Sequence, residues 1–444
     1  MDAPTTVVAS DVGRRNRRAR IAVGAVFLTN GALFANLVPR YPQIKSELGL
    51  NNAALGSAIA AFPLGALVAG LFAAPLIARF GSARLASGGI VLLATAMTMV
   101  SVAPGWLALA AVLAISGAID SIVDVAQNTH ALRVQRAYRR SIVNSFHGIW
   151  SIGAVTGGLM GSAAAGLDMA LSTHLIVSGA VFSMVALTAF RFLLPGTDDS
   201  ERVVDPIAAE GSPGIIHRSP GPSPGPIPGR SPGRSAERSA GRAARRSVVR
   251  TLAVLGVIAA CGALVEDSGA SWGAVYLRNN IGTSAATAGM AFVAFQIAMT
   301  TGRLLGDRIT DRYGQRVVVR TGGLLAGIGM GAALAAPTTG TTLVGYALAG
   351  LGVSTLIPAA MHAADELPGL ANGLGLSAVS WLLRVGFLLS PPIVGLIADA
   401  TSLRVGLLSV VLAGCVIIVL SRVFPPRPTN GAANVVGDVV AKST

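Results

Sequence analysis

The chain has 444 residues, of which 52% are hydrophobic and only 12% charged, and its mean hydropathy is +0.65. So little charge over such a length points away from a soluble globular domain and toward a polytopic membrane protein. The formal net charge of +14 calls for no nucleic-acid partner, because the basic residues cluster at the ends of apolar runs, where they act as topology signals.

Apolar windows of about 18 to 25 residues, enough to cross a hydrocarbon core of about 30 Å as helices, recur along the chain. Twelve spans are expected, near 21–40, 54–77, 84–103, 106–131, 142–166, 170–192, 250–275, 286–306, 317–336, 341–363, 371–396 and 403–421. The 54 glycines suit helices whose backbones approach closely. Arg14, Arg15, Arg17, Arg18 and Arg20 precede span 1, which has full length and no small-residue cleavage site, so it reads as a retained anchor. Arginines return after span 4 (Arg133, Arg136, Arg139, Arg140) and after span 8 (Arg308, Arg312, Arg316, Arg320), while the alternate connections carry few. By the positive-inside rule, both termini and the central connection are expected to be cytoplasmic.

Polar residues inside the spans are the candidate site, since an ionisable group in a bilayer costs about 2.5 to 3.5 kcal/mol on insertion scales. Span 1 carries Asn30 and Asn36, either interhelical hydrogen-bond partners or contacts for a polar cargo. Span 4 contains GAIDSIVDVAQNTH (117–130), in which Asp120, Asp124, Gln127 and Asn128 share one helical face. Two carboxylates one turn apart repel when both are ionised, so one of them is expected to hold a proton near neutral pH. Asp124 either carries that proton in transport or pins helix packing. In span 5, His147 and Trp150 lie at a similar depth, and His147 is either a relay partner of Asp124 or a structural histidine.

Residues 196–249, rich in Pro, Gly, Ser and Arg, are expected to form a disordered cytoplasmic linker. The expected division is a basic N-terminus (1–20), a first six-helix bundle (21–195), that linker, a second bundle (250–422) and a C-terminal tail (423–444). The two halves match without a gap at an offset of 233 residues: Gly49 meets Gly282, Gly56 meets Gly289, Phe62 meets Phe295, Arg79 meets Arg312 and Gly81 meets Gly314. That match points to duplication and to parallel repeats about an axis along the membrane normal.

In the second half, Glu266 and Asp267 of span 7 lie about 24 Å or more along the helix from its basic start, in the outer part of any cavity. Trp272 follows them and reads as an interfacial marker. Arg384 is near the middle of span 11, and a guanidinium there needs a partner: Glu266, Asp267 or an anionic substrate. Pro358 and the pair Pro391 and Pro392 are expected to kink spans 10 and 11. Cys261 and Cys415 read as small core residues, and no metal site or cofactor is called for.

The stretch GRLLGDRITDRYGQR (302–316) has the Asp-Arg-x-Gly turn that marks the major facilitator superfamily, filled here by Asp311, Arg312, Gly314 and Arg316. The first-half copy, ARFGSAR, keeps Arg79 and Gly81 but has Ala78 where the acid belongs. Four further stretches, DVAQNTHALRVQR (124–136), SFHGIWSIG (145–153), EDSGASWGAVYLR (266–278) and GFLLSPPIVGLIAD (386–399), resemble a bacterial branch distantly similar to the fucose permeases. The resemblance covers both halves and keeps Asp124 and Asn128 as branch-pattern residues; Asp120 and Arg384 depart from the pattern.

This resemblance implies an all-α membrane protein with twelve transmembrane helices in two six-helix pseudo-repeats and both termini cytoplasmic. Helices 1, 4, 7 and 10 would line a central cavity that opens alternately to each face of a bacterial cytoplasmic (inner) membrane. It implies a secondary transporter driven by an ion gradient, commonly protons, for a small organic solute such as a sugar-like or polar metabolite; drug or metabolite efflux is the alternative. No G-x-x-x-x-G-K-[ST] loop is present for direct drive by ATP. A membrane-embedded transferase is disfavoured, since its nearest catalytic grouping would be His362, Asp365 and Glu366, and duplication fits alternating access better. Beyond cargo, protons and the bilayer, no partner or oligomeric state is legible.

Overall fold

In a computed structural model, residues 4–138, 142–196, 198, 234–367, 370 and 374–426 are described. Arg139 and Arg140, most of the expected linker (197 and 199–233) and most of the expected tail (427–444) lie outside them. Among the described residues, the regular structure is helical throughout. The first half holds α1 (Pro4–Leu37), α2 (Tyr41–Glu47), α3 (Asn52–Gly70), α4 (Ala73–Phe80), α5 (Ser82–Thr98), α6 (Trp106–Tyr138), α7 (Val143–Gly166) and α8 (Leu171–Phe190). The second holds α9 (Arg234–Ser271), α10 (Gly273–Tyr276), α11 (Ala285–Tyr313), α12 (Gln315–Ala335), α13 (Thr339–Val353), α14 (Leu356–Asp365), α15 (Leu374–Ala400), α16 (Leu403–Gly406) and α17 (Leu408–Leu420).

Eleven helical segments among the described residues are long and apolar enough to cross a membrane. The expected span 142–166 is also a helix, α7, but is not one of the eleven. Its six glycines and its Asn, His and Ser residues lower its hydropathy, and Gly153, Gly157 and Gly161 let it pack closely on α1. Two boundaries shift from expectation. The segment 1–20 is not separate from the first span, because α1 is one helix from Pro4, and the last part of 196–249 is not linker-like, because α9 begins at Arg234. Ala- and Arg-rich sequence (AERSAGRAARRS) has the propensity to extend span 7 as helix. Span 10 breaks between α13 and α14 just ahead of Pro358, whose ring cannot accept a full preceding turn.

The duplication seen in sequence recurs as backbone conformation. Gly49 and Gly282 both have positive φ, 60° and 77°, and Gly81 and Gly314 adopt nearly identical angles, φ 84° ψ 146° and φ 83° ψ 151°. A side chain is strained at such φ, which is why glycine stands at all four positions. Asn51 and Ser284, also 233 apart, cap the helices that follow, accepting from the backbone N–H of Ala54 and Thr287. Even the arginine at each turn repeats its contact: Arg79 lies over the Phe80 ring and Arg312 over Tyr313.

The halves meet along two helix pairs, α3 with α15 and α7 with α11. At the end opposite the Asp-Arg-x-Gly turns the seam is tight. A Cβ on Gly56 would strike the Pro391 carbonyl, one on Gly395 the Asn52 carbonyl, and one on Gly289 the Ser162 side chain. The same end carries an inter-half carboxylate latch: Asp399 Oδ1 accepts from the Asn52 backbone N–H (2.9 Å) and Asn52 Nδ2 (2.8 Å), and Oδ2 accepts from Ala53 N–H (2.7 Å). A negative charge there also suits the positive end of the α3 dipole.

Candidate functional site

Between the halves lies a cavity of about 890 Å³ that runs from Asn30 and Asp120 in mid-bundle to Asp311, Gln315 and His362 at the end bearing the Asp-Arg-x-Gly turn. Its first-half wall comes from α1, α6 and α7, and its second-half wall from α11 and the α13–α14 break, with Thr300, Ser354 and Thr355 contributing hydroxyls. Helices of spans 5 and 8 therefore take a larger share of the wall than the family resemblance implies.

Asn30 organises the floor. Its Nδ2 donates to Asp120 Oδ1 (2.7 Å), and its Oδ1 accepts from Trp150 Nε1 (2.9 Å) and from Gln127 Nε2 (3.3 Å). Gln127 Nε2 also approaches Asp124 Oδ1 (3.2 Å), and Asn128 Nδ2 donates to the same oxygen (3.1 Å) and to the Asp124 carbonyl (2.9 Å). One buried amide on span 1 thus links both walls of the first half to the polar face of α6. The close approach of α1 and α7 that permits this depends on Gly31, where a Cβ would meet the Trp150 carbonyl.

The two aspartates have different surroundings. Asp120 is partly covered and held by Asn30, whereas Asp124 is exposed to the cavity and receives only amide donors. His147 is exposed in the same cavity, edge-on to Phe27, and its charge would act on Asp124. Among the described residues no hydrogen bond or ion pair joins His147 to Asp124, so the expected relay is a proximity and not a bond.

Several expected site residues lie elsewhere. Asn36 is withdrawn from the cavity: its Nδ2 donates to Ser178 Oγ (2.7 Å) and its Oδ1 pairs with His174 Nε2 (2.8 Å), so it packs α1 on α8. Gln127 and Asn128 serve Asp124 from its own helix and do not line the cavity. Asp267 does not line the cavity: its Oδ1 accepts from Ser271 Oγ (3.1 Å) on the same helix, and its Oδ2 is buried. Trp272 is 0% exposed and so is no interfacial marker.

Glu266 pairs with Arg303 and not with Arg384: Arg303 Nη2 lies 3.2 Å from Oε1 and 3.3 Å from Oε2. Arg303 lines the cavity, and sequence reasoning passed over it. The available signal was its position nine residues before Arg312, more than two helical turns inside the bilayer end of span 8, too deep for a flanking charge. Arg384, on α15, is exposed, has no hydrogen bond or ion pair among the described residues, and is not among the residues that line the cavity.

The turn residues also divide. Asp311 lines the cavity mouth, and Arg316 donates from Nε to the Phe424 carbonyl (2.6 Å) and from Nη2 to the Arg422 carbonyl (2.8 Å), fastening the end of the last span. In the first half, where Ala78 replaces the acid, a different carboxylate stands at the turn. Asp198 accepts from the Ser82 backbone N–H (2.9 Å) and from Ser82 Oγ, and lies 3.7 Å from the buried Arg133, which also donates to the Leu194, Pro195 and Gly196 carbonyls. Ser82 Oγ bonds to His130 Nδ1 as well (2.8 Å), and His130 Nε2 accepts from the Leu194 N–H (3.2 Å). The polypeptide leaving span 6 is thereby tied to the turn between spans 2 and 3.

Comparison with known proteins gives the same architecture. The family model described as Major Facilitator Superfamily matches residues 23–266 and 252–440. The chain is 27% identical over 406 residues to an uncharacterised MFS-type transporter of Yersinia pestis, covering 91% of this chain and 94% of that one. It is 26% identical to the membrane protein MosC of Rhizobium meliloti, covering 92% and 91%. Among solved structures, it superposes on the nucleoside transporter NupG with a TM-score of 0.65 at 15% identity, over 91% of this chain and 97% of that one. A D-xylose-proton symporter gives a TM-score of 0.64 at 14% identity, over 92% and 95%; identities this low speak to fold alone. With the family model spanning both halves, the chain belongs to the Major Facilitator Superfamily and is a multi-pass secondary transporter of the inner membrane, not an enzyme.

Proposed function

We propose that the protein couples movement of protons to movement of a small polar metabolite through the inter-half cavity, with the basic end facing the cytoplasm. The observation that carries this reading is the pair Asp120 and Asp124, one turn apart on a cavity-lining helix, with Asp124 facing the cavity and Asp120 held by Asn30. Two carboxylates so placed cannot both ionise without cost, so the pair retains a proton that a change of access can load or release. The arginine-rich connections support the sidedness, and Thr300, Ser354 and Thr355 support a cargo that hydrogen-bonds. Trp150 supplies the aromatic surface on this path; Trp272 is fully buried, and neither it nor Trp381 is among the lining residues.

Symport is the direction favoured by a cavity in which proton and cargo sites adjoin. The four stretches that resemble a branch distantly similar to the fucose permeases favour a compact polar solute over a large aromatic drug. The test is reconstitution into proteoliposomes carrying a pH dye, screened against metabolite pools. Cargo-dependent proton movement is expected in the wild type, and Asp124→Asn should lower it about 100-fold or more, the scale of losing a positioned proton-transfer group, while the protein still elutes as a folded species. Equal proton movement in wild type and variant removes Asp124 from the coupling.

A further inference from the structure

We infer that the basic end of the first half carries a seat for an anionic diacyl phospholipid, its phosphate held by Arg14, Arg15, Arg18 and Arg191 and an acyl chain laid between α1 and α8. Such a seat is separate from the cargo cavity and requires only that the chain lie in a bilayer.

Two cavities on this face share a border. One, of about 500 Å³, is lined by those four arginines, three from α1 and Arg191 from the end of α8, together with Phe192, Leu193 and Pro195. The other, of about 640 Å³, follows the groove between α1 and α8, and its lining is apolar apart from Arg18 and Thr188. Arg18 and Phe192 belong to both, so the charged pocket and the apolar groove form one path.

The two helices carry this division in their sequence. Along α1, Arg14, Arg15, Arg18, Ile21, Ala22 and Ala25 recur at helical spacing as one stripe, basic up to Arg18 and apolar beyond it. Along α8, Met184, Val185, Thr188 and Ala189 form the other wall, and the chain turns basic at Arg191. Asn36 meets Ser178 at one end of the pair and Arg18 shares its pocket with Phe192 at the other. The helices therefore run antiparallel, and both walls change from apolar to basic at the same level. Because α8 packs chiefly on α1 and α5, the groove opens to the bilayer, with Ile21 64% and Met184 68% exposed.

The other face of the basic segment is spent on packing. Asn16 Nδ2 donates to the Ala137 carbonyl (3.2 Å) and Arg20 lies over the Tyr138 ring (5.6 Å), which holds the start of α1 against the end of α6. The side chains of Arg15, Arg18 and Arg191 make no hydrogen bond or ion pair among the described residues, and none of the described residues lining the pocket is acidic. Guanidiniums converging from two helices call for an anion with several acceptor oxygens, which a phosphate supplies. A free phosphate would leave the groove uncovered, and a neutral lipid would leave the arginines unmatched. An anionic lipid satisfies the whole path at once.

The test measures binding of single lipids to the purified full-length protein in detergent by native mass spectrometry, with thermal shift as the second readout. The probes are dioleoyl phosphatidylglycerol, dioleoyl phosphatidylcholine, glycerol 3-phosphate and inorganic phosphate. Phosphatidylglycerol should bind about 100-fold or more tightly than phosphatidylcholine, and neither soluble phosphate should raise Tm. Arg18→Gln with Arg191→Gln should lower phosphatidylglycerol affinity about 30-fold, the scale of two basic side chains at an anionic surface, and leave phosphatidylcholine unchanged. Arg17→Gln with Arg20→Gln removes the same charge from beside the pocket, and should change the affinity by less than about threefold. Thr188→Trp fills the groove and keeps every arginine; about a tenfold loss is expected, the scale of two methylenes returned from burial. Arg18→Lys with Arg191→Lys keeps the charges, and should retain most of the preference and serve where the neutral pair does not fold.

Equal losses in the two double Gln variants would reduce the pocket to diffuse surface charge and overturn the seat. A Tm rise with inorganic phosphate equal to that with phosphatidylglycerol would assign the pocket to a soluble anion, with the same consequence. Full phosphatidylglycerol affinity in Thr188→Trp would remove the acyl chain from the groove and also overturn it. Affinity that rises tenfold or more when Glu201, Asp205 and Glu210 are all changed to Gln would make the chain's own acidic stretch the occupant in place of a lipid.

Discussion

The two ends of the seam between the halves are built from different chemistry. At the closed end, backbone lies against backbone at Gly56 and Gly395, Gly289 lies against the Ser162 side chain, and one carboxylate, Asp399, bridges the halves. At the open end the walls part and carry Asp307, Asp311, Arg303 and His362 toward solvent. Small residues let a closed face form without repacking side chains, so it can open and close as a rigid-body event. Charges at the other face stay hydrated while it is open and must find partners when it shuts, so cargo and proton can control that step.

The difference can be broken from the closed end. Gly56→Val or Gly395→Val places a side chain on a neighbouring backbone carbonyl, and overpacking of this kind costs about 1–3 kcal/mol. The expected result is the largest of the series: a shift of about 5- to 150-fold in the population closed at that end, read as faster labelling of a cysteine placed at Ser57 and as loss of transport. Asp399→Ala keeps the glycine contacts and removes only the latch, for about 1 kcal/mol, so labelling at Ser57 should rise about fivefold with transport reduced but present.

A change at the first-half turn should affect neither end of the seam and so sharpens the contrast. Asp198→Ala removes the carboxylate from the start of α5 and its charge from beside Arg133. A loss of about 1 kcal/mol, seen as a Tm lower by about 2–4 °C, is expected with cysteine labelling at both ends unchanged. The smallest effect is expected for Arg316→Lys, which cannot reach both the Phe424 and Arg422 carbonyls with a fork: a few tenths of a kcal/mol, visible as increased proteolysis beyond residue 422.

The sequence speaks most clearly where a single helix or turn decides the outcome. Spans follow from apolar run length, and the positive-φ glycines of the repeat (Gly49, Gly81, Gly282 and Gly314) follow from turns that no other residue fits as well. The polar face of α6 was legible from spacing, because Asp120, Asp124 and Gln127 are placed by one helix. Contacts between helices were not. Asn30 and Asn36 are alike in sequence, yet one is the hub of the cavity floor and the other bonds His174 and Ser178, because six residues turn them toward different neighbours.

Pairing of charges was the least legible feature. On depth alone Arg384 is a candidate partner for Glu266, but it is Arg303 of span 8 whose side chain reaches that carboxylate. Asp198 falls at the edge of a segment whose composition gives no apolar drive to fold, and it is ordered by Arg133 and Ser82 on other elements. Asp399 was visible only as the last residue of a family-like stretch; its role needs the start of α3, 347 residues away in sequence.

Alternate opening of this cavity at its two ends, under control of its charged floor, is open to direct measurement. Spin labels at Glu47 and Thr401 report the closed end across the two halves, and labels at Ala78 and Tyr313 report the end that bears the turns; all four positions are exposed. Electron–electron distance measurements in lipid nanodiscs, compared between acidic and alkaline pH, should show the two distances changing in opposite directions in the wild type, and changing much less in Asp124→Asn. Distances that move together, or an Asp124→Asn response equal to wild type, would contradict it.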